Sequence, residues 1–212
     1  GHEVYAPTLT GLAERASELT PEVGLDTHIQ DIVSELSEKN LHGVILVGHS
    51  YSAMVITGVV DLVPERIAHL VYMDTFVPRN GEAMADISPL VIHLLSKQAQ
   101  AHGDGWRVSP RGTYGVTREP DRSWVRESLT DQPLKTLEQP LHLKNPDIVS
   151  TKPRTHIDCT GSGFFYLFIR RIVAQRALPP TEAGWRLRQL PTGHCPMITM
   201  PRELGDLLLE VV

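Results

Sequence analysis

At 212 residues the chain is long enough for one domain that buries roughly 70% of its unfolded surface. Its composition, 41% hydrophobic and 21% charged, is that of a globular protein, and a net charge of −5 without a long run of Lys or Arg excludes the basic footprint of a nucleic-acid binder. Two cysteines, Cys159 and Cys195, exclude a disulfide framework and a CxxC motif; no apolar run reaches the length of a membrane span, and nothing at the start has the order of a signal peptide, so a cytoplasmic protein with free thiols and no membrane contact is expected.

Taken in chain order, residues 2–6 (HEVYA) read as a short strand closed by Pro7, followed by a Thr-Leu-Thr-Gly loop and a long polar connection. At Thr27 the sequence Thr-His-Ile-Gln carries the capping-box pattern, and Ile29, Ile32, Val33 and Leu36 keep the spacing of one apolar helix face. After a break at 40–43, Val44-Ile45-Leu46-Val47 is a continuous apolar run ended by Gly48, as in a parallel strand covered on both faces. Residues 51–62 predict a helix although Val55, Ile56, Val59 and Val60 are β-branched, so burial must override propensity there. Pro64 stops it, and residues 67–73 predict the next strand, ending at Asp74. This strand, helix, strand order implies a parallel sheet with right-handed crossovers.

Between Pro78 and Pro153 the pattern loosens, with frequent Pro and Gly around short apolar helices at 91–95 and 124–129. Segment 78–153 is therefore expected to be an inserted helical cap on a core formed by 1–77 and 154–212. Order returns with a strand at 156–159, a helix at 164–177, a strand at 185–190 and the turn Pro191-Thr192-Gly193-His194. Pro201, Leu204, Leu207, Leu208 and Val211 outline a closing amphipathic helix with proline in its first turn.

Gly48-His49-Ser50-Tyr51-Ser52 sits where an apolar strand meets a helix. A tight turn there lifts Ser50 above the sheet edge, the helix aims its N-terminus at the same point, and the Tyr51 backbone N–H becomes an oxyanion donor. The competing reading is a helix N-cap without chemistry. His194, one of ten histidines, is set apart by its place in a turn after the last strand, at the edge where Ser50 also emerges. The acid lies between two carboxylates. Asp74 ends the strand that follows the nucleophile helix and is preferred, with a turn-forming carboxylate as its competing role, whereas Asp158 falls inside a predicted strand. His49 is expected at the substrate pocket. No metal and no organic cofactor is implied.

Tyr5-Ala6-Pro7-Thr8-Leu9-Thr10-Gly11-Leu12, Val23-Gly24-Leu25-Asp26-Thr27-His28, Val47-Gly48-His49-Ser50-Tyr51, His69-Leu70-Val71-Tyr72-Met73-Asp74 and Pro191-Thr192-Gly193-His194 resemble the bacterial α/β-hydrolases related to plant hydroxynitrile lyases and methyl-salicylate-type esterases. The resemblance runs nearly end to end and implies a three-layer α/β-hydrolase fold with a mostly parallel sheet and an inserted cap that lines the pocket, Ser50 as nucleophile, His194 as base and Trp124 as a pocket-wall residue, with a packed core tryptophan of the cap as its alternative. Four departures accompany it. The family's strand, oxyanion loop and helix ahead of Gly1-His2-Glu3-Val4 are not in the sequence, which implies an N-terminally shortened fold with one oxyanion donor and an unpaired sheet edge that favours a homo-oligomer. Ser52-Ala53 stands where relatives carry two glycines. No carboxylate stands at 159–163, where the plant branch places its acid, and Cys195 replaces the lysine that cyanohydrin-cleaving lyases carry. The implied activity is hydrolysis of a small apolar or aromatic carboxylic ester. The alternatives are a hydrolase-like scaffold that binds a small ligand without turnover, and a lyase or cyclase acting on a metabolite.

Overall fold

The computed structural model describes residues 1–87, 89–110, 112–161 and 184–212, so the helix expected at 164–177 lies outside the described residues. The chain runs through α1 (Leu25–Glu38), β1 (Val44–His49), α2 (Ser52–Leu62) and β2 (Ile67–Met73). The segment that follows holds α3 (Met84–Ile87), α4 (Pro89–His102), β3 (Arg107–Val108), α5 (Asp121–Ser128), β4 (Gln132–Pro133) and α6 (Lys135–Glu138), with β3 and β4 forming a short antiparallel ladder. Then come β5 (Arg154–Cys159), β6 (Trp185–Leu190), α7 (Pro196–Thr199) and α8 (Pro201–Leu209).

Four strands make one sheet in the order β1-β2-β5-β6, every pair parallel. Successive side chains of a strand point to opposite faces, and each face meets its own layer. Leu70 and Tyr72 of β2 join the core built with α1 and α2, while Val71 and Met73 join Ile157, Leu190 and Leu204 on the face covered by α8. The β-branched helix α2 forms because it is buried from Ala53 to Val60. Burying one Val is worth about 1.5–3 kcal/mol, whereas its helix propensity costs at most about 0.7 kcal/mol. The helix therefore persists against its local preference.

Three expectations need correcting. Residues 2–6 form no strand: they are exposed, Val4 by 85%, and β1 has its ladder with β2. A five-residue segment is held in a strand by a neighbour's hydrogen bonds, and no described strand offers them. Helix α1 starts before Thr27, with Gly24 as N-cap, and the Thr27 hydroxyl accepts from the Gly24 N–H at 3.2 Å. Gln139 fixes this earlier start: its amide donates to Asp26 Oδ2 at 2.7 Å, and a Cβ on residue 24 would meet its Oε1 at 2.2 Å. The short helix expected at 91–95 is α4, fourteen residues long. Among the described residues no helix is long and apolar enough to cross a membrane.

Register decides where chemistry can sit. His49 pairs with Met73, Met73 with Ile157, and Cys159 with Leu190, so the carboxyl ends of β1, β2, β5 and β6 share one edge. Ser50, Asp74 and the 191–194 turn leave the sheet at that edge. In open parallel sheets, ligands bind in the crevice outside it.

Candidate active site

Ser50 is held at φ +53°, a left-handed conformation that costs a non-glycine residue about 1–2 kcal/mol. The turn is pinned from both sides: the Ser50 N–H donates to the Met73 carbonyl at 3.2 Å, and the Thr75 hydroxyl donates to the Ser50 carbonyl at 2.7 Å. The Ser50 carbonyl also accepts the Ala53 N–H at 3.1 Å, which starts the turn of α2. Tyr51 is the N-cap of α2, so its N–H precedes the intrahelical ladder and belongs to the positive end of the helix dipole. Close packing requires Gly48, since a Cβ there would meet the Ser52 carbonyl at 2.8 Å.

Asp74 is the second residue bent into positive φ, at +44°, and it is buried. Its N–H donates to the Ile157 carbonyl at 2.7 Å, which locks the bend to β5. The carboxylate is aimed by two donors. Cys159 N–H reaches Oδ1 at 3.3 Å and His194 Nδ1–H reaches Oδ2 at 2.7 Å. With Nδ1 carrying the proton, the lone pair of the neutral imidazole is on Nε2, at the opposite side of the ring. Of the two carboxylates read from the sequence, the structure brings Asp74 to His194, while Asp158 stays within β5.

The His194 loop is held by its own contacts. His49 Nε2–H donates to the His194 carbonyl at 2.6 Å, and the two rings lie 4.4 Å apart. A Cβ on Gly161 would lie 2.8 to 2.9 Å from the Thr192 backbone, so only glycine lets the two loops approach this closely. Trp124 stands on α5 with 59% of its surface exposed, and it is not among the residues that this cluster joins.

Two participants were missed in the sequence. Tyr114, at φ +48° between Gly112 and Gly115, brings its ring to 6.2 Å from that of His194, and the Gly115 and Gly193 backbones pack together. An aromatic residue bracketed by glycines in segment 78–153 was the available signal. The other is His28, fully buried on α1, whose Nδ1 lies 3.0 Å from the Tyr51 hydroxyl.

Electrostatics separate the groups around the pair. Burial, then the neighbouring imidazole of His194, pushes His49 down to about 4, so it is neutral at physiological pH. Burial, with the Asp74 charge second, pushes the Cys159 thiol up to about 12 and the Cys195 thiol up to about 11, so neither is a thiolate nucleophile. No group of three or more His, Cys, Asp or Glu is placed to hold a metal among the described residues.

His49 gives a pH prediction with a definite sign. Its folded pKa of about 4 lies below an unfolded value of about 6.5, so between these limits the unfolded chain binds more protons. Its contribution is fully present above pH 6.5 and is lost as pH falls towards 4. Urea midpoints are expected to drop over that window, and His49→Gln, which keeps an N–H donor but does not titrate, to flatten the drop. An unchanged slope in the variant would contradict this assignment.

The model of the alpha/beta hydrolase family matches residues 1–207. The chain belongs to the alpha/beta hydrolase family. A carbendazim-hydrolyzing esterase from Nocardioides sp. (strain SG-4G) is 33% identical over 221 residues, covering 98% of this chain and 87% of the relative. Among solved structures, an extracellular alpha/beta-hydrolase from a Paenibacillus species, described as sharing homology with tobacco salicylic acid binding protein 2, aligns with a TM-score of 0.78 at 20% identity, covering 99% of this chain and 87% of that one. Tomato methylketone synthase I aligns at 0.77 and 15% identity, covering 100% and 87%. These two likenesses show the alpha/beta hydrolase fold.

Proposed function

We propose that this carboxylic-ester hydrolase cleaves a small apolar or aromatic ester through Ser50, His194 and Asp74. The observation that carries the reading is the 2.7 Å bond from His194 Nδ1–H to a buried carboxylate at the same sheet edge as a serine held at positive φ. In this mechanism Ser50 Oγ attacks the ester carbonyl carbon and gives its proton to His194 Nε2. Asp74 stabilises the imidazolium that forms, and the Tyr51 N–H receives the charge that develops on the carbonyl oxygen. Collapse expels the alcohol, which takes the proton from His194. Water, deprotonated by the same nitrogen, then releases the acid from the acyl-serine.

The esterase relative supports ester chemistry at this site, and the exposed Tyr114 in segment 78–153, which we read as the cap, offers apolar surface to a substrate beside His194. Chromogenic acetate and butyrate esters test the proposal: hydrolysis is expected for the native chain, and turnover that survives Ser50→Ala intact would reject it.

A further inference from the structure

The Tyr51 side chain points away from the chemistry assigned to its backbone. Its phenol lies 3.0 Å from Nδ1 of His28, a fully buried residue of α1. Proton counting gives this contact a direction. His28 Nε2 lies 3.0 Å from the Thr10 carbonyl, which can only accept, so the proton of a neutral His28 is on Nε2. Burial holds His28 in that neutral form. Its Nδ1 is then an acceptor and Tyr51 is the donor.

The result is a chain that runs one way, from Tyr51 to His28 to the Thr10 carbonyl. Thr10 is itself clamped, its N–H and hydroxyl both donating to Asp31 of α1, at 2.7 and 2.8 Å. The chain's first link is the residue next to the nucleophile.

We infer that Tyr51 is a positioning residue, whose phenol ties the serine turn to α1 and the Thr10 loop through His28, fixing the Tyr51 N–H against the reacting carbonyl. This deepens the proposed function and rests on it. A displacement of about 1 Å in such a donor is enough to cost up to 10²-fold in rate.

The test is steady-state hydrolysis of 4-nitrophenyl acetate by Tyr51→Phe, His28→Leu, the double variant and Ser50→Ala, with a trifluoromethyl ketone as tetrahedral-adduct probe. Each single variant is expected to lower kcat about tenfold with KM changed less than about threefold, and the double variant to resemble the singles because both break one chain. The inhibition constant of the ketone is expected to rise with the loss in kcat. A merely structural tyrosine would lower the melting temperature without moving kcat or ketone affinity, and that result overturns the inference, as do losses that multiply in the double variant. Turnover surviving Ser50→Ala overturns the hydrolase reading together with this inference. Loss in Ser50→Ala with Tyr51→Phe at the native rate overturns the inference alone.

Discussion

Asp74→Asn is expected to lower kcat about 10⁴-fold while leaving the melting temperature within a few degrees of the native chain. The backbone tolerates the change, because asparagine accepts the left-handed φ of +44° better than most residues. The loss follows from how the amide must orient. Cys159 N–H, 3.3 Å from Oδ1, requires an acceptor, so the amide carbonyl takes that side and the NH₂ faces His194 Nδ1. Nδ1 then has to accept, the imidazole proton moves to Nε2, and the nitrogen meant to deprotonate Ser50 becomes a donor. The opposite flip sets the NH₂ against the Cys159 N–H, donor to donor. Kinetics and thermal melts of Asp74→Asn beside native protein check this outcome, and a loss below tenfold would show that the carboxylate does not set the tautomer.

Ser50 carries the larger effect. Ser50→Ala is expected to remove about 10⁶ of kcat, the magnitude seen when serine hydrolases lose their nucleophile. A companion variant reads the strain stored at the turn. Both Ser and Ala are unfavourable at φ +53°, by about 1–2 kcal/mol, whereas glycine enters that region freely and loses only about 0.5–1 kcal/mol to its greater unfolded-state entropy. Ser50→Gly should therefore be as inactive as Ser50→Ala yet melt at an equal or higher temperature. A Ser50→Gly protein that melts well below Ser50→Ala would show that the turn is not strained.

β1 and β2 were legible because they are largely apolar runs, whereas β5 and β6 interleave charged residues such as Asp158, Arg186 and Arg188 with apolar ones. Residues 67–73 and 185–190 needed no partner to be recognised, and the β-branched α2 followed from its place between β1 and β2. Asp74 could be preferred over Asp158 on the same ground, since a residue that ends a strand reaches the edge and one inside it does not. What failed depended on distant contacts. Residues 2–6 have the composition of a strand, but a strand also needs a neighbour, which local pattern does not reveal. Thr27 reads as an N-cap until Gln139, more than a hundred residues later, moves the helix start to Gly24. The bond from His49 Nε2 to the His194 carbonyl was equally hidden, since nothing near either residue signals that pairing. His28 was more accessible to reasoning. It lies beside Ile29 on the apolar face of α1, and a buried histidine there needs a partner for each ring nitrogen.

The central claim is that Ser50 is activated by the His194 and Asp74 pair. Reaction with a fluorophosphonate, followed by mass spectrometry of the digested protein, tests it most directly, because the probe reports an activated serine without knowledge of the substrate. The account predicts a single adduct on the peptide that contains Ser50, formed far more slowly in Asp74→Asn and in His194→Ala. An adduct on another residue, or labelling of Ser50 at the native rate in both variants, would contradict it.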